Sequence, residues 1–241
     1  MEPALSLPKP SYDLWEERYG IWTYTAASVY GGLMAAAFFT DLFGDYERSD
    51  HYKQKAKELR QGILDHLWDE ESGRFARGLV QRDNRWVKDM TLESSLYFII
   101  EFGVLPVDDT RVIRTMQAIK NGLSVKTEIG GIARYTNDYY FQQSGDIEKV
   151  PGNPWIICTL WAADFDIESA RTLEELEQPL RMLQWVTRHS LQSGLLPEQL
   201  NPHNGSPMSV APLTWSHATF VHSVCKYANK HKELSEQLGK I

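Results

Sequence analysis

Cysteine is nearly absent. Cys158 and Cys225 are the only two in 241 residues, and both sit in apolar helical patterns, which speaks against a disulfide framework or a zinc site and for two buried thiols in a reducing compartment. Basic runs are missing too: Lys plus Arg total 25 against 32 Asp plus Glu, a formal net charge of −7. The electrostatic footprint of a nucleic-acid or anionic-membrane partner is therefore lacking. There is no long Gly-, Ser- or Pro-rich tract, and 42% hydrophobic with 24% charged residues is ordinary globular usage, which excludes a largely disordered chain. No apolar run is long enough to span a bilayer, and no stretch combines a basic start, an apolar middle and a small-residue cleavage site. The sequence reads as a soluble piece, with the cytoplasm favoured as its compartment. Neither a phosphate-cradling glycine loop nor a histidine cluster at metal-ligand spacing occurs, so no cofactor and no metal is expected.

What the chain does have is aromatic surface and helical periodicity. It holds 8 Trp, 11 Tyr and 9 Phe, several in loop-like segments where flat apolar faces suit a ring-shaped ligand. Its length is enough for one large domain or two small ones. Stretches near 22–43, 91–103, 153–166 and 212–229 are apolar over much of their circumference and predict buried helices. Between them, stretches near 47–68, 109–122 and 173–191 carry a single apolar stripe on a charged background. Ala56, Leu59, Ile63 and Leu67, then Val112, Met116, Ile119 and Leu123, recur at three-to-four-residue spacing and predict half-exposed helices. Pro212 suits the first turn of the last helix, Thr172 with Glu175 has capping-box spacing, and Pro179 predicts a later start or a kink.

Strict alternation of buried and half-exposed helices implies two layers, an inner set wrapped by an outer one. Inner-to-outer links are short, around 44–47, 104–108 and 167–172, whereas outer-to-inner links are long, around 69–90, 123–152 and 192–211. The long loops should emerge on one end of the assembly, where function usually sits. Residues 72–77 and 130–135 are expected to form short extended pieces within them.

Each segment leading into an inner helix carries carboxylates, amides and aromatics. They are Tyr12-Asp13-Leu14-Trp15-Glu16-Glu17-Arg18; Arg134-Tyr135 with Asp138-Tyr139-Tyr140 and Gly152-Asn153-Pro154-Trp155; and Leu196-Pro197-Glu198-Gln199. Converging carboxylates with aromatic walls fit a carbohydrate site, since one carboxylic acid can protonate a glycosidic oxygen while a second activates water or attacks carbon. Plainer explanations exist for each. Glu16 and Glu17 precede a helix, where the dipole favours carboxylates; Glu198 can be solvated, Arg134 can be an ordinary ion-pair partner, and the tryptophans can be core. Ser209, Ser216 and His217 form no nucleophile-elbow pattern, and neighbours on a helix do not face each other.

These motifs resemble the catalytic domain of the glucoamylase family, glycoside hydrolase family 15, of glucoamylase or glucodextranase kind. The Tyr12–Glu17 segment resembles the signature around the general acid. Arg134-Tyr135 through Trp155, leading into Cys158-Thr159-Leu160, resembles the substrate-arginine segment and its helix. Leu196-Pro197-Glu198-Gln199, with Asn204-Gly205 and Leu213-Thr214-Trp215-Ser216, resembles the segment of the general base. The resemblance runs from Tyr12 to about Tyr227. It implies an all-α fold of the (α/α)6 toroid type, incomplete here, with residues 1–241 as the C-terminal part of the catalytic domain and the N-terminal half of the barrel without a counterpart in these residues. That missing half is expected from the full-length protein.

The resemblance further implies inverting, exo-acting α-glucoside hydrolysis that releases β-glucose from an oligosaccharide or polysaccharide end. Glu16 would be the general acid and Glu198 the general base. Trp15, Glu17, Arg134 and Trp155 would bind sugar, and Asp13, Tyr135, Asp138 and Gln199 would support the pair. Inversion calls for carboxyl groups roughly 6.5–9.5 Å apart, with Glu16 protonated through burial beside Trp15 and its carboxylate neighbours, and with the Arg134 fork on adjacent sugar oxygens. The stretch from Phe141 to Pro151 is extra relative to the shortest members and is expected to reshape the outer subsites. Trehalose hydrolysis is the alternative within the fold. A non-catalytic carbohydrate-binding or regulatory module is the alternative outside it.

Overall fold

In the computed structural model, which describes Glu2 and residues 4–238, the chain divides into two compact units: Met1–Thr91 with Ser95–Thr115, and Leu92–Ser94 with Met116–Ile241. The first unit opens on a hairpin of β1 (Ser11–Tyr12) and β2 (Tyr19–Trp22), with Tyr12 opposite Tyr19 and the two rings edge-on at 5.6 Å. β2 runs directly into α1 (Thr23–Leu42). Trp22 is still extended, and the change to helix is held by Thr23, whose hydroxyl donates to the Ala76 carbonyl at 2.7 Å and whose amide donates to the Arg77 carbonyl at 3.0 Å. Gly44, at a φ of +80°, reverses the chain, and Asp45 caps α2 (Tyr46–His66) by accepting from the Arg48 amide. The expected stripe of Ala56, Leu59, Ile63 and Leu67 is buried.

The long segment after α2 is largely β. β3 (Trp68–Asp69) pairs with β4 (Arg74–Phe75), and of the two only β4 lies inside residues 72–77, the stretch expected to be extended. β5 (Gly78–Arg82) and β6 (Arg85–Asp89) form a hairpin that the helical periodicities do not indicate. Its signal is local: Asp83-Asn84, both at positive φ, close a two-residue turn between alternating segments. The four strands β1-β2-β5-β6 make one antiparallel sheet. The helix expected over 91–103 is much shorter. A 3₁₀ turn at Ser94–Tyr97 leads into α3 (Phe98–Glu101), because Leu92 accepts from the Thr136 amide and the Ser94 amide donates to Arg134. A backbone already paired as a strand edge cannot also close helical bonds. α4 (Thr110–Leu123) follows, with Val112, Met116, Ile119 and Leu123 buried as expected.

In the second unit, α5 (Ile156–Ser169) is buried along nearly all its length and packs on both α6 (Glu177–Arg188) and α7 (Thr214–Leu238). Ile156, Leu160, Val186 and Leu200 anchor the core there, each contributing about 1.5–3 kcal/mol by burial. The Thr172–Glu175 capping box forms: the Glu175 amide donates to the Thr172 hydroxyl and the Thr172 amide to the Glu175 carboxylate, both at 3.3 Å. The α-helix then starts later than the periodicity suggests, after a 3₁₀ turn at Glu174–Leu176, so Pro179 falls in its first turn, where its missing N–H leaves no bond unmade. β7 (Gln199–Leu200) and β8 (Pro207–Met208) form a short ladder ahead of α7.

Several expectations are corrected. Pro212 stands two residues before α7 rather than in its first turn, and residues 130–135 make only isolated bridges, through Ile132 to Ser124 and Trp155 and through Tyr135 to Glu93. α1 and α7 are not buried all round: Phe38, Phe39, Leu42, Val221 and Val224 are exposed. A helix apolar on most sides needs neighbours on most sides, and α1 packs on α2, α3 and β2 while α7 packs on α5 and α6. Cys158 is buried, but Cys225 lies on an uncovered side of α7 and is exposed.

Candidate active site

The first unit holds Glu16 at the tip of the β1–β2 hairpin. Asp13 builds that tip. Its amide donates to the Arg18 carbonyl at 2.9 Å, its carbonyl accepts from the Glu16 amide at 3.1 Å, and its Oδ1 accepts from the Glu17 amide at 2.8 Å. This local use of a short carboxylate is what makes Asp a turn residue. Its other oxygen, Oδ2, is buried without a hydrogen-bond partner. Glu16 itself takes a left-handed φ of +58°, a sparsely populated conformation for a non-glycine residue and one found at functional turns. Glu17 is paired with Arg18 at 2.7 Å. Trp15 is half-buried, whereas Glu16 is exposed, which corrects the expectation of burial: Asp13, not Glu16, is the carboxylate turned inward. Beneath the hairpin, the Trp22 indole donates to the Ser11 carbonyl at 2.9 Å, and the Arg77 guanidinium lies 5.4 Å from the Trp22 ring. Arg77 is bound in turn to Asp89. Burial works to raise the Asp89 carboxyl, but the bonds from Arg77 and Thr91 outweigh it and hold the group below its ordinary range.

In the second unit the long segments before α5 and α7 meet. The Ile156 amide, first in α5, donates to the Glu198 carbonyl at 3.2 Å; the Leu200 amide donates to Pro154 at 2.9 Å; and Trp155 bridges Gln199. The backbone of the Glu198 segment thus serves as the missing cap of α5, whose N-cap Trp155 has no capping side chain. Glu198 is half-buried, and Gln199 Nε2 donates to its Oε2 at 3.3 Å. Arg134 is buried and bidentate to Asp138, with both contacts at 2.7 Å. Its guanidinium lies 5.0 Å from the Tyr135 ring, 5.0 Å from Tyr140 and 4.8 Å from Trp155. A buried guanidinium needs a carboxylate and polarisable faces, and three expected residues, Asp138, Tyr135 and Trp155, supply them together with Tyr140. The Nε–Nη2 edge of the guanidinium is therefore taken by Asp138. Gly152 makes this possible, since a Cβ there would come within 2.7 Å of the Asp138 Cβ.

A profile described as "Glycosyl hydrolases family 15" matches residues 6–178. The chain belongs to glycosyl hydrolase family 15. An uncharacterized glycosyl hydrolase of Methanocaldococcus jannaschii is 32% identical over 222 residues, covering 88% of this chain and 33% of that protein. A glucoamylase of a Clostridium species is 23% identical, covering 89% and 33%, and a trehalase of Mycobacterium tuberculosis is 24% identical, covering 93% and 30%. The chain thus spans about a third of the length of these relatives. A solved bacterial glucoamylase complexed with acarbose superposes with a TM-score of 0.76 at 21% identity, over 94% of this chain and 36% of that one. The family 15 fold is shared.

Within this family 15 chain, the second unit gathers Arg134, Tyr135, Asp138, Trp155, Glu198 and Gln199, and the first unit gathers Asp13, Trp15, Glu16 and Glu17. Two contributors were not singled out from sequence. Tyr140 supplies the third ring around Arg134, and Asn153 bonds Gln199. Tyr140 had a signal, lying two residues past Asp138 in a motif already marked; its amide donates to Asp138 at 3.0 Å. Asn153 had none beyond its place before Trp155. His217 and Ser216 have structural bonds, His217 accepting from the Leu196 amide and Ser216 donating to the Pro197 carbonyl.

Proposed function

We propose that the chain carries the acid- and base-bearing part of a glucoamylase-like catalytic domain, acting in inverting, exo-type hydrolysis of α-glucosides, with Glu16 as general acid and Glu198 as general base. The observation that carries this reading is the family 15 match together with the two carboxylates' settings. Glu16 is the unpaired carboxylate at a strained hairpin tip, and Glu198 accepts an amide N–H on one oxygen. Glu16 donates its proton to the glycosidic oxygen as the bond to the anomeric carbon breaks. Water forms the new bond to that carbon from the opposite face while Glu198 takes its proton, so the released glucose is the β-anomer. Trp15 and Trp155 offer apolar ring faces to sugar. The Arg134–Asp138 pair holds the Tyr135, Tyr140 and Trp155 rings in place, and Glu17 with Arg18 offers polar groups to hydroxyls.

The experiment is hydrolysis of maltooligosaccharide and isomaltooligosaccharide with the released anomer followed by proton NMR. The β-anomer should appear first and mutarotate to the equilibrium mixture; initial release of α-glucose would overturn inversion. Trehalose hydrolysis is the second reading, favoured by the likeness to the mycobacterial trehalase. Turnover of trehalose with none of the maltooligosaccharide would select it. The whole reading fails if all three substrates remain intact while the substrate-bound protein is demonstrably folded.

A further inference from the structure

Asn153 stands at the entry to α5, is 1% exposed, and has no role in the chemistry assigned above. Its amide nitrogen donates twice, to the Phe141 carbonyl at 2.9 Å and to Oε1 of Gln199 at 2.8 Å. Gln199, fully buried, in turn donates from Nε2 to Oε2 of Glu198 at 3.3 Å. The two ends of this relay have a fixed chemical sense. A backbone carbonyl only accepts, and so does an ionised carboxylate. Asn153 must therefore present N–H to Phe141, its second N–H faces Gln199, Gln199 must answer with its oxygen, and its N–H is left for Glu198. The polarity follows from the end groups, not from how either amide is drawn.

Two observations show that this arrangement is held against alternatives. Oδ1 of Asn153 is buried without a hydrogen-bond partner, yet turning the amide round would set that oxygen against the Phe141 carbonyl. Phe141, a bulky residue, adopts a left-handed φ of +55°, a conformation such side chains rarely take, and from it the carbonyl meets Asn153. The segment Phe141–Pro151 and its neighbour Tyr140 reach the loop that follows Glu198. Asn201 donates to the Gln143 side chain at 3.3 Å, and the Tyr140 and Ser209 hydroxyls stand 3.3 Å apart.

We propose that Asn153 is a positioning residue for the base: locked by the Phe141 carbonyl, it fixes the amide of Gln199 so that an N–H always faces Oε2 of Glu198. Oε1 is then the oxygen that receives the proton of the attacking water. This rests on the reading of Glu198 as general base, but the relay can be tested without turnover. The test is a cycle on the ¹⁵N-labelled 241-residue chain, following the side-chain amide protons of Gln199 by NMR. Glu198→Gln removes the charge and should move one Gln199 amide proton upfield. With Asn153→Asp in place, the introduced carboxylate can only accept, Gln199 turns its N–H towards it, and the response to Glu198→Gln should vanish. An equal response in both backgrounds, as for a merely structural Asn153, overturns the proposal. Should Asn153→Asp fail to fold, exchange in the parental chain decides: both Asn153 amide protons should exchange slowly, and rapid exchange of either overturns it. In turnover, Asn153→Asp should lower kcat by about tenfold or more with KM little changed. Parental turnover in Glu198→Gln would remove Glu198 as base, and the resonance cycle would still decide the relay.

Discussion

At the scale of single residues, each glutamate sits beside a partner that does the structural work. Asp13 forms the turn that presents Glu16, and Gln199, held by Asn153, bonds Glu198. Removing either glutamate's ionisable group should therefore cost chemistry more than structure. Glu16→Gln and Glu198→Gln are each expected to lower turnover by about 10²-fold or more, with oligosaccharide affinity measured by calorimetry largely retained. Near-parental turnover in either removes that residue from the mechanism. The opposite balance is expected at Asp138. It is fully buried and bidentate to a buried arginine, so Asp138→Asn leaves an uncompensated charge and should lower unfolding stability by about 3–5 kcal/mol in urea titration. A loss below about 1 kcal/mol would mean that the pair is not closed in solution.

At the scale of elements, helix and strand obeyed different kinds of information. The stripes of α2 and α4 were legible because half-exposed helices must alternate apolar and charged faces, and the capping box at Thr172 was legible because its two bonds are local. α3 was misjudged in length because Leu92 and Ser94 are paired with residues forty positions on, and no local pattern reports that. The β3–β4 turn offers a pH test. The Ser72 amide and hydroxyl, with Lys88, hold the Asp69 carboxyl down to about 2 from an ordinary 3.8. A depressed carboxyl contributes stability above its unfolded value and loses that contribution as pH falls through its folded value. Asp69→Asn should thus be less stable than the parent near neutral pH, with the gap closing between about pH 4 and pH 2. A gap of constant size across urea titrations at those pH values contradicts the assignment.

At the scale of the molecule, one surface stands out. Phe38, Phe39, Leu42 and Phe43 are exposed by 55–80% at the C-terminal end of α1, a clustering of large apolar side chains that monomeric surfaces seldom show. Replacing Phe38 and Phe39 by Ser should reduce binding of a hydrophobic dye without lowering thermal stability, because neither ring is buried. Undiminished fluorescence would show that the patch is covered in solution. Among the described residues no helix is long and apolar enough to cross a membrane.

The sequence by itself determined the helical periods, the order of the three carboxylate-bearing motifs and, through them, the family. These are properties of neighbours along the chain, set by side-chain spacing and backbone preference. Only the tertiary structure decided that the Arg134 guanidinium closes on Asp138, that Glu16 is exposed while Asp13 is buried, and that Asn153 is joined to Glu198 through Gln199. The relay joins groups 46 residues apart, and the Arg134 pair and the Asp13 turn, though their partners are near in sequence, depend on which groups the surrounding packing buries. Hydrogen bonds are made wherever packing brings the groups within 3 Å or so of each other, and sequence separation carries no record of that distance.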